Sequence, residues 1–395
     1  MSDTALKHVE YLTNTIGPRG STTLKEKEGH EYVQKALAEL GCATRTETFL
    51  SSTSTYLPFV LGLGLVLIAE VVYWFVGRTP NAGVGALAAA LISALMLASL
   101  VLELWAADNP LRWLLPVAPS QNVVGVASAS GEVKRRIVVM AHVDTHRTPM
   151  IWQSPNHFKA YRVLSTLGVL SLVALVVMFV VSIFAPSEVL RNATLVPVAL
   201  VTIAFGMVVQ AHNTPFAVGA NDNASGVGVM LSLAEQLARE PLKNTEVWWV
   251  ASGCEEVGAY GSADFGHRHA AELGDGVIIV VDNIAGQDTG PVYLTSETLL
   301  LPLKYPDELV KVADSVSAEN PDLKGWSTAQ QGAYTDGVHA LKAGLKCLTF
   351  VGYTRDNWIP NWHNVSDIFA NVDADAVDRT ERFVLAVIRR LDAQG

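Results

Sequence analysis

Four stretches of this chain are long and predominantly apolar, and one of them, Val163 to Phe184, is apolar around its whole circumference apart from scattered Ser and Thr. Leu57 to Val76 carries Glu70 as its only charge, and Ala82 to Trp105 carries only Glu103, near its end. Val163 to Phe184 follows, then a shorter run from about Leu190 to Val209 with Pro197 inside it. A helix on a soluble protein keeps one polar face, with polar residues every three or four positions. About 20 apolar residues match the hydrocarbon core of a bilayer. The pattern therefore predicts four transmembrane helices in two hairpins, with Arg191 placed at the interface of the fourth.

Elsewhere the apolar runs are shorter and alternate between helical and extended periodicity. They predict a helix from Thr22 to Leu40, with Gly41 as its C-cap, then strands near Thr44 to Phe49, Asn122 to Ala127 and Arg136 to Met140. A helix Ala224 to Arg239 and strands Glu246 to Ala251 and Val277 to Val281 come next. The last elements are a helix Asp307 to Val316, a strand Cys347 to Val351 and a helix Ala376 to Leu391. This order predicts an α/β fold, a three-layer sandwich with a mixed sheet. The apolar hairpins interrupt it, so the expected organisation is one discontinuous domain (1–56, 106–162 and 210–395) carrying inserted hairpins at 57–105 and 163–209.

Composition sharpens the picture in three places. Half of the 395 residues are hydrophobic, as multi-pass membrane insertion requires, and the formal net charge of −10 provides no basic footprint for nucleic acid. The amino terminus has no apolar signal-peptide core. Arg112, Lys159 and Arg162 flank the spans on the side of the polar segments, whereas the hairpin tips carry only Arg78 and Arg191. The positive-inside bias then places the polar domain in the cytoplasm. Three cysteines, Cys42, Cys254 and Cys347, have no close metal-type spacing and fit buried thiols in a reducing compartment.

Candidate chemistry gathers where apolar strands meet loops. Glu255 and Glu256 end the run from Glu246 to Cys254; Ala-His142-Val-Asp144-Thr ends another strand; Gly219-Ala-Asn-Asp222-Asn-Ala-Ser-Gly226 precedes a helix; Asp282-Asn follows Val281; and Trp362-His363-Asn lies near the end. A single His-x-Asp is more often a hydrogen-bonded structural pair, and a lone Glu pair more often a solvated step. Five such segments can converge at the carboxyl ends of a sheet, and their residue types suit metal-assisted hydrolysis.

These segments, in this order, resemble the di-zinc exopeptidases of metallopeptidase family 28, which include aminopeptidases, glutamate carboxypeptidase relatives and glutaminyl cyclases. Ile16-Gly-Pro-Arg-Gly-Ser21, Thr335-Asp336 and Ala343-Gly-Leu-Lys-Cys-Leu extend the likeness. The resemblance implies two zinc ions bridged by Asp222, one completed by His142 and Asp282 and the other by Glu256 and His363. It makes Glu255 the general base and Asp144 the group that orients His142. The segment between His142 and Asp222 is much longer than in soluble relatives, because the second hairpin lies there. His146 and His212 are close enough in sequence to line the site. The expected activity is a membrane-anchored aminopeptidase acting on peptides; a single-zinc glutaminyl cyclase-like transferase and a non-catalytic receptor or scaffold on the same fold are the alternatives.

Overall fold

The computed structural model describes residues 2–298 and 301–394, and the chain divides into two compact units. The first comprises Met1–Thr53, Val117–Arg147 and Phe216–Gly395, the second Ser54–Pro116 and Thr148–Pro215.

The first unit is built on a mixed nine-stranded sheet. Its strands are β1 (Ala43–Ser52), β2 (Val117–Ala127), β3 (Arg135–His142), β4 (Thr245–Ser252), β5 (Val277–Asp282), β6 (Gly290–Glu297), β7 (Leu303–Lys304), β8 (Trp326–Ala329) and β9 (Lys346–Tyr353). They lie in the order β1-β2-β4-β3-β5-β9-β6-β7, with β8 also paired to β6. The central four, β4, β3, β5 and β9, are parallel, and antiparallel neighbours β2 and β6 flank them. Parallel strands covered on both faces need apolar residues at every position. Here Ile137, Val139, Val247, Trp249, Ile279 and Val281 face one core, while Val138, Met140, Trp248, Val250, Ile278 and Val280 face the other.

Helices Ser2–Glu10, Leu24–Glu39, Ser225–Arg239, Asp307–Glu319 and Ala374–Ala393 contribute to the first core. Tyr260–Leu273 and Gly337–Lys342 contribute to the second. Helices on both faces of a mixed sheet make the three layers that the alternation of elements predicts. The four parallel strands end in the same direction at His142, Ser252, Asp282 and Tyr353, which is where open α/β sheets bind ligands.

The second unit is helical: Leu57–Val76, Ala82–Leu104, Pro155–Phe184, the short Glu188–Ala193 and Leu195–His212. Among the described residues these provide four helices long and apolar enough to cross a membrane. Only 17–39 % of their most apolar windows is buried, and large side chains such as Phe75, Leu91, Leu170 and Val196 are exposed. The third helix starts at Pro155, eight residues before the apolar run, because Ser154 caps it by accepting the His157 amide and proline suits a first turn. The fourth breaks at Thr194, where Pro197 has no N–H to offer the carbonyl four residues back. Inside the unit Gly62 lets Met96 approach closely, since a Cβ there would sit 1.8 Å from its sulfur. Tyr73 stacks edge-on against Phe179 and bonds Ser182 at 2.7 Å.

Candidate metal centre

His142 is the last residue of β3 and Asp282 the last of β5, on adjacent parallel strands. Glu255 and Glu256 follow the end of β4, which neighbours β3 on its other side. Asp222 lies in the irregular turn Ala220–Ala224 that opens the Ser225–Arg239 helix, and His363 in the loop beyond β9. All six are buried, Glu255 and Glu256 at the limit of 9 % exposure.

Asp222 joins two donor groups. Its Oδ1 lies 3.3 Å from His142 Nε2, which is also 3.3 Å from Asp282 Oδ1. Its Oδ2 lies 3.2 Å from His363 Nε2, which is 3.3 Å from Glu256 Oε2. Zinc bonds of about 2.0–2.1 Å in tetrahedral array place neighbouring donors about 3.3 Å apart. The donor spacing, the all N/O donor chemistry and a buried Glu256 Oε1 that receives no hydrogen bond fit divalent metal. The groups His142, Asp222, Asp282 and His142, Glu255, Glu256 each bring their ligand atoms within 4.8 Å of one another.

The surroundings fix these side chains. His142 Nδ1 lies 3.1 Å from the Asp144 carbonyl, which can only accept, so Nδ1 carries the proton and Nε2 presents its lone pair toward Asp222 and Asp282. The Asp144 carboxylate stands farther from that nitrogen, at 3.6 Å. It accepts instead the amides of Glu255 and Glu256, at 3.0 and 3.1 Å, and the Ser21 hydroxyl at 2.6 Å. Asp367 does the same for the other loop, accepting the amides of Asn221 at 2.6 Å and Asp222 at 3.1 Å.

Electrostatics follow from many acids in little water. Burial pushes Glu255 well above the usual carboxylate range, with Glu256, Asp282 and Asp336 adding to it and His142 opposing. Burial acts likewise on Glu256, reinforced by Asp222. Burial works against the charge of His142, yet Asp282, Asp144 and Asp222 together hold it well above 6.5. Asp336 is raised to about 6 and Asp367 to about 7, both by burial first. So strong an excess of buried acid favours a cation.

Several residues around this centre carry no signal in the ligand pattern. Arg19, fully buried, donates to the carbonyls of Leu12, Gly17, Val143, Val218 and Gly219, tying the loop after β3 to the one before Asp222. Asp336 accepts the Ser252 hydroxyl at 2.5 Å. Both sit in segments that the family resemblance marks, Ile16 to Ser21 and Thr335-Asp336; for Asp367 no sequence signal exists. His146 stacks on His363 with ring centres 3.6 Å apart and planes at 18°. Its Nδ1 donates to the Arg147 carbonyl at 2.7 Å. Ligand atoms of His146, Glu256 and His363 come within 4.8 Å. In-plane lone pairs of nearly parallel rings cannot converge on one ion, so His146 flanks His363 rather than joining it. His212 belongs to the helical unit, where it bonds Ser54. Cys254 and Cys347 are buried thiols, and Cys42 is half-buried.

The family model for peptidase family M28 matches residues 202–388, a span that holds Asp222, Glu255, Glu256, Asp282 and His363. The chain is 27 % identical over 185 residues to the aminopeptidase YwaD of Bacillus subtilis (strain 168), a match covering 46 % of this chain and 40 % of YwaD. The alignment thus spans less than half of that relative. Its fold is similar to the glutaminyl cyclase of Porphyromonas gingivalis (TM-score 0.60, 15 % identity, 100 % of this chain and 99 % of that one). It is similar also to BSAP, a zinc aminopeptidase from Bacillus subtilis (0.59, 14 %, 98 % and 94 %). A Zn-dependent exopeptidase from Parabacteroides distasonis compares at 0.59, with 12 % identity over 98 % of both chains. At such identities these structures establish a shared fold alone.

Proposed function

We propose that this chain is a zinc-dependent exopeptidase, an aminopeptidase, whose discontinuous catalytic domain is anchored in the membrane by two helical hairpins. The observation that carries the reading is Asp222 presenting one oxygen to His142 and the other to His363, with Asp282 and Glu256 completing two donor groups. Two groups favour the exopeptidase over the single-zinc cyclase. Zinc held there would polarise a scissile carbonyl and acidify a nearby water. His142, Asp222 and Asp282 would hold one ion, and Asp222, Glu256 and His363 the other.

The protein's own groups do the rest. Glu255 lies beside these donors without belonging to the bridged pairs, buried and raised in pKa, as a group that takes a proton from water and passes it to the leaving amine must be. Asp144 keeps the backbone of Glu255 and Glu256 in place through its two oxygens. The exposed apolar helices of the second unit support membrane anchoring.

Metal analysis of detergent-purified protein, combined with turnover of a small peptide library, tests the whole reading. Two zinc ions per chain and stepwise loss of amino-terminal residues are expected. One zinc with pyroglutamate product would instead select the cyclase, and zinc without turnover the scaffold.

A further inference from the structure

Glu26 is a charged residue 1 % exposed, on the first turn of the Leu24–Glu39 helix. In sequence it is the fourth residue of a Thr23-x-x-Glu26 capping pattern, and Thr23 does cap the helix by accepting the Glu26 amide. A capping glutamate on a surface helix bonds its own helix start and otherwise faces water. This one does not. Its Oε2 accepts the Thr22 amide at 2.7 Å and the Ser120 hydroxyl of β2 at 2.9 Å, and its Oε1 accepts the Cys254 amide at 2.9 Å. The Cys254 thiol lies 3.4 Å from the same oxygen.

Cys254 immediately precedes Glu255 and Glu256. The ladder of β4 ends at Ser252, so the next four amides have no strand partner. Each is received by a side chain: Gly253 by Asn122 at 3.2 Å, Cys254 by Glu26, and Glu255 and Glu256 by Asp144. Cys254 has a φ of 56°, a left-handed conformation that a cysteine adopts only when its surroundings enforce it. Gly253 is required for the close approach, since a Cβ would meet Gln121 O at 2.6 Å, Ser120 Oγ at 2.8 Å and Glu26 Oε1 at 3.0 Å.

We propose that Glu26 is a positioning residue: through the Cys254 amide it sets the direction in which Glu255 and Glu256 leave the end of β4, and so the placement of the base against the metal donors. Asp144 fixes the second half of the turn and Glu26 the first. This rests on the metallopeptidase reading of Glu255 and Glu256, and its test includes a measurement that needs no turnover.

Glu26→Gln preserves shape but offers one accepting oxygen, and its amide hydrogens must oppose either the Thr22 or the Cys254 N–H. In the full-length protein, in detergent, we expect kcat to fall about tenfold with KM within about twofold, the low end for groups that orient metal ligands. Zinc affinity, measured by competition with a chromogenic chelator, should weaken by a similar factor. Glu28→Gln, on the exposed side of the same helix, should change neither. A folded Glu26→Gln protein with wild-type kcat and wild-type zinc affinity overturns the proposal and leaves Glu26 a helix cap. Should no peptide be turned over by the wild type, the peptidase reading fails while zinc competition still decides the role of Glu26. If Glu26→Gln does not fold, Ser120→Ala decides it by removing one donor to the intact carboxylate. A loss of about threefold in zinc affinity is expected there, and an unchanged affinity overturns the proposal.

Discussion

Glu255 and Asp222 are both buried acids, yet the structure separates their expected behaviour. Asp222 spans two donor groups, whereas Glu255 stands beside them. Glu255→Gln should therefore keep its zinc and lose turnover by about 10² to 10⁴-fold, the range of general-base assistance; near-normal kcat in the zinc-loaded variant would remove Glu255 as base. Asp222→Asn weakens the charge shared by both groups, so zinc content itself should drop. Retention of the full wild-type complement would refute bridging. A different buried group contributes to stability toward acid. Burial depresses the pKa of His30 to about 4 from 6.5. The unfolded chain takes up that proton first, so the contribution is complete above pH 6.5 and is lost as pH falls toward 4. It amounts to about 3 kcal/mol. Denaturant midpoints at pH 7 and pH 4.5 should differ less for His30→Asn than for the wild type, and equal differences would discard this role.

At the scale of elements, the buried pair Glu103–Arg112 ties the end of the Ala82–Leu104 helix to the Pro110–Leu114 turn that follows it. Arg112 bonds Glu103 twice, at 2.8 and 2.6 Å, and Asn109 adds a third bond at 2.7 Å. Arg112→Ala leaves the carboxylate short of charge and should cost about 3–5 kcal/mol, whereas replacing both partners by methionine should cost much less. Thermal unfolding in detergent compares the two, and a double variant as unstable as the single one would contradict it. The elements with clean periodicity were legible from sequence: β3, β4, β5 and β9 are continuous β-branched and aromatic runs, and each ends within two residues of its predicted limit. Those left unread have mixed signals. Tyr260–Leu273 holds Gly261, Gly266 and the polar Ser262 and Asp264 near its start, a poor helix by propensity that the second core stabilises through Phe265 and Leu273. β6 opens with Gly290-Pro291, which reads as a turn until β9 and β8 pair with it. Most candidate ligands were legible because His142 and Asp282 end strands, Glu255 and Glu256 follow one and Asp222 precedes a helix, while His363 was read from the Trp362-His363-Asn segment. Arg19, Glu26 and Asp367 were not, because what they hold is backbone from remote loops, and pairing across 100 residues or more leaves no local pattern.

For the whole molecule, the catalytic geometry constrains the membrane topology. Ser52 and Val117 are paired residues of β1 and β2, so the intervening segment with its two apolar helices leaves and returns at one place. His142 and Asp222 approach to 3.3 Å, so the segment between them does the same. If these helices span a bilayer, each segment crosses it an even number of times, which two helices in each satisfy and which counts the broken fourth helix as a full span despite Pro197. Charge decides the side: Arg112, Lys159 and Arg162 lie where the chain returns to the catalytic segments, against Arg78 and Arg191 at the tips, so the catalytic domain should face the cytoplasm. In a Cys42→Ser background, single cysteines at Asn81 and Ser187, in the turns after the first and third helices, should react with an impermeant thiol reagent on intact cells. One at Glu272, an exposed residue of the sheet-bearing unit, should react only after permeabilisation. Labelling at Glu272 from outside would reverse the orientation. Labelling at Asn81 but not at Ser187 would break the even count for the second segment, and with it the meeting of His142 and Asp222 on one side of the bilayer.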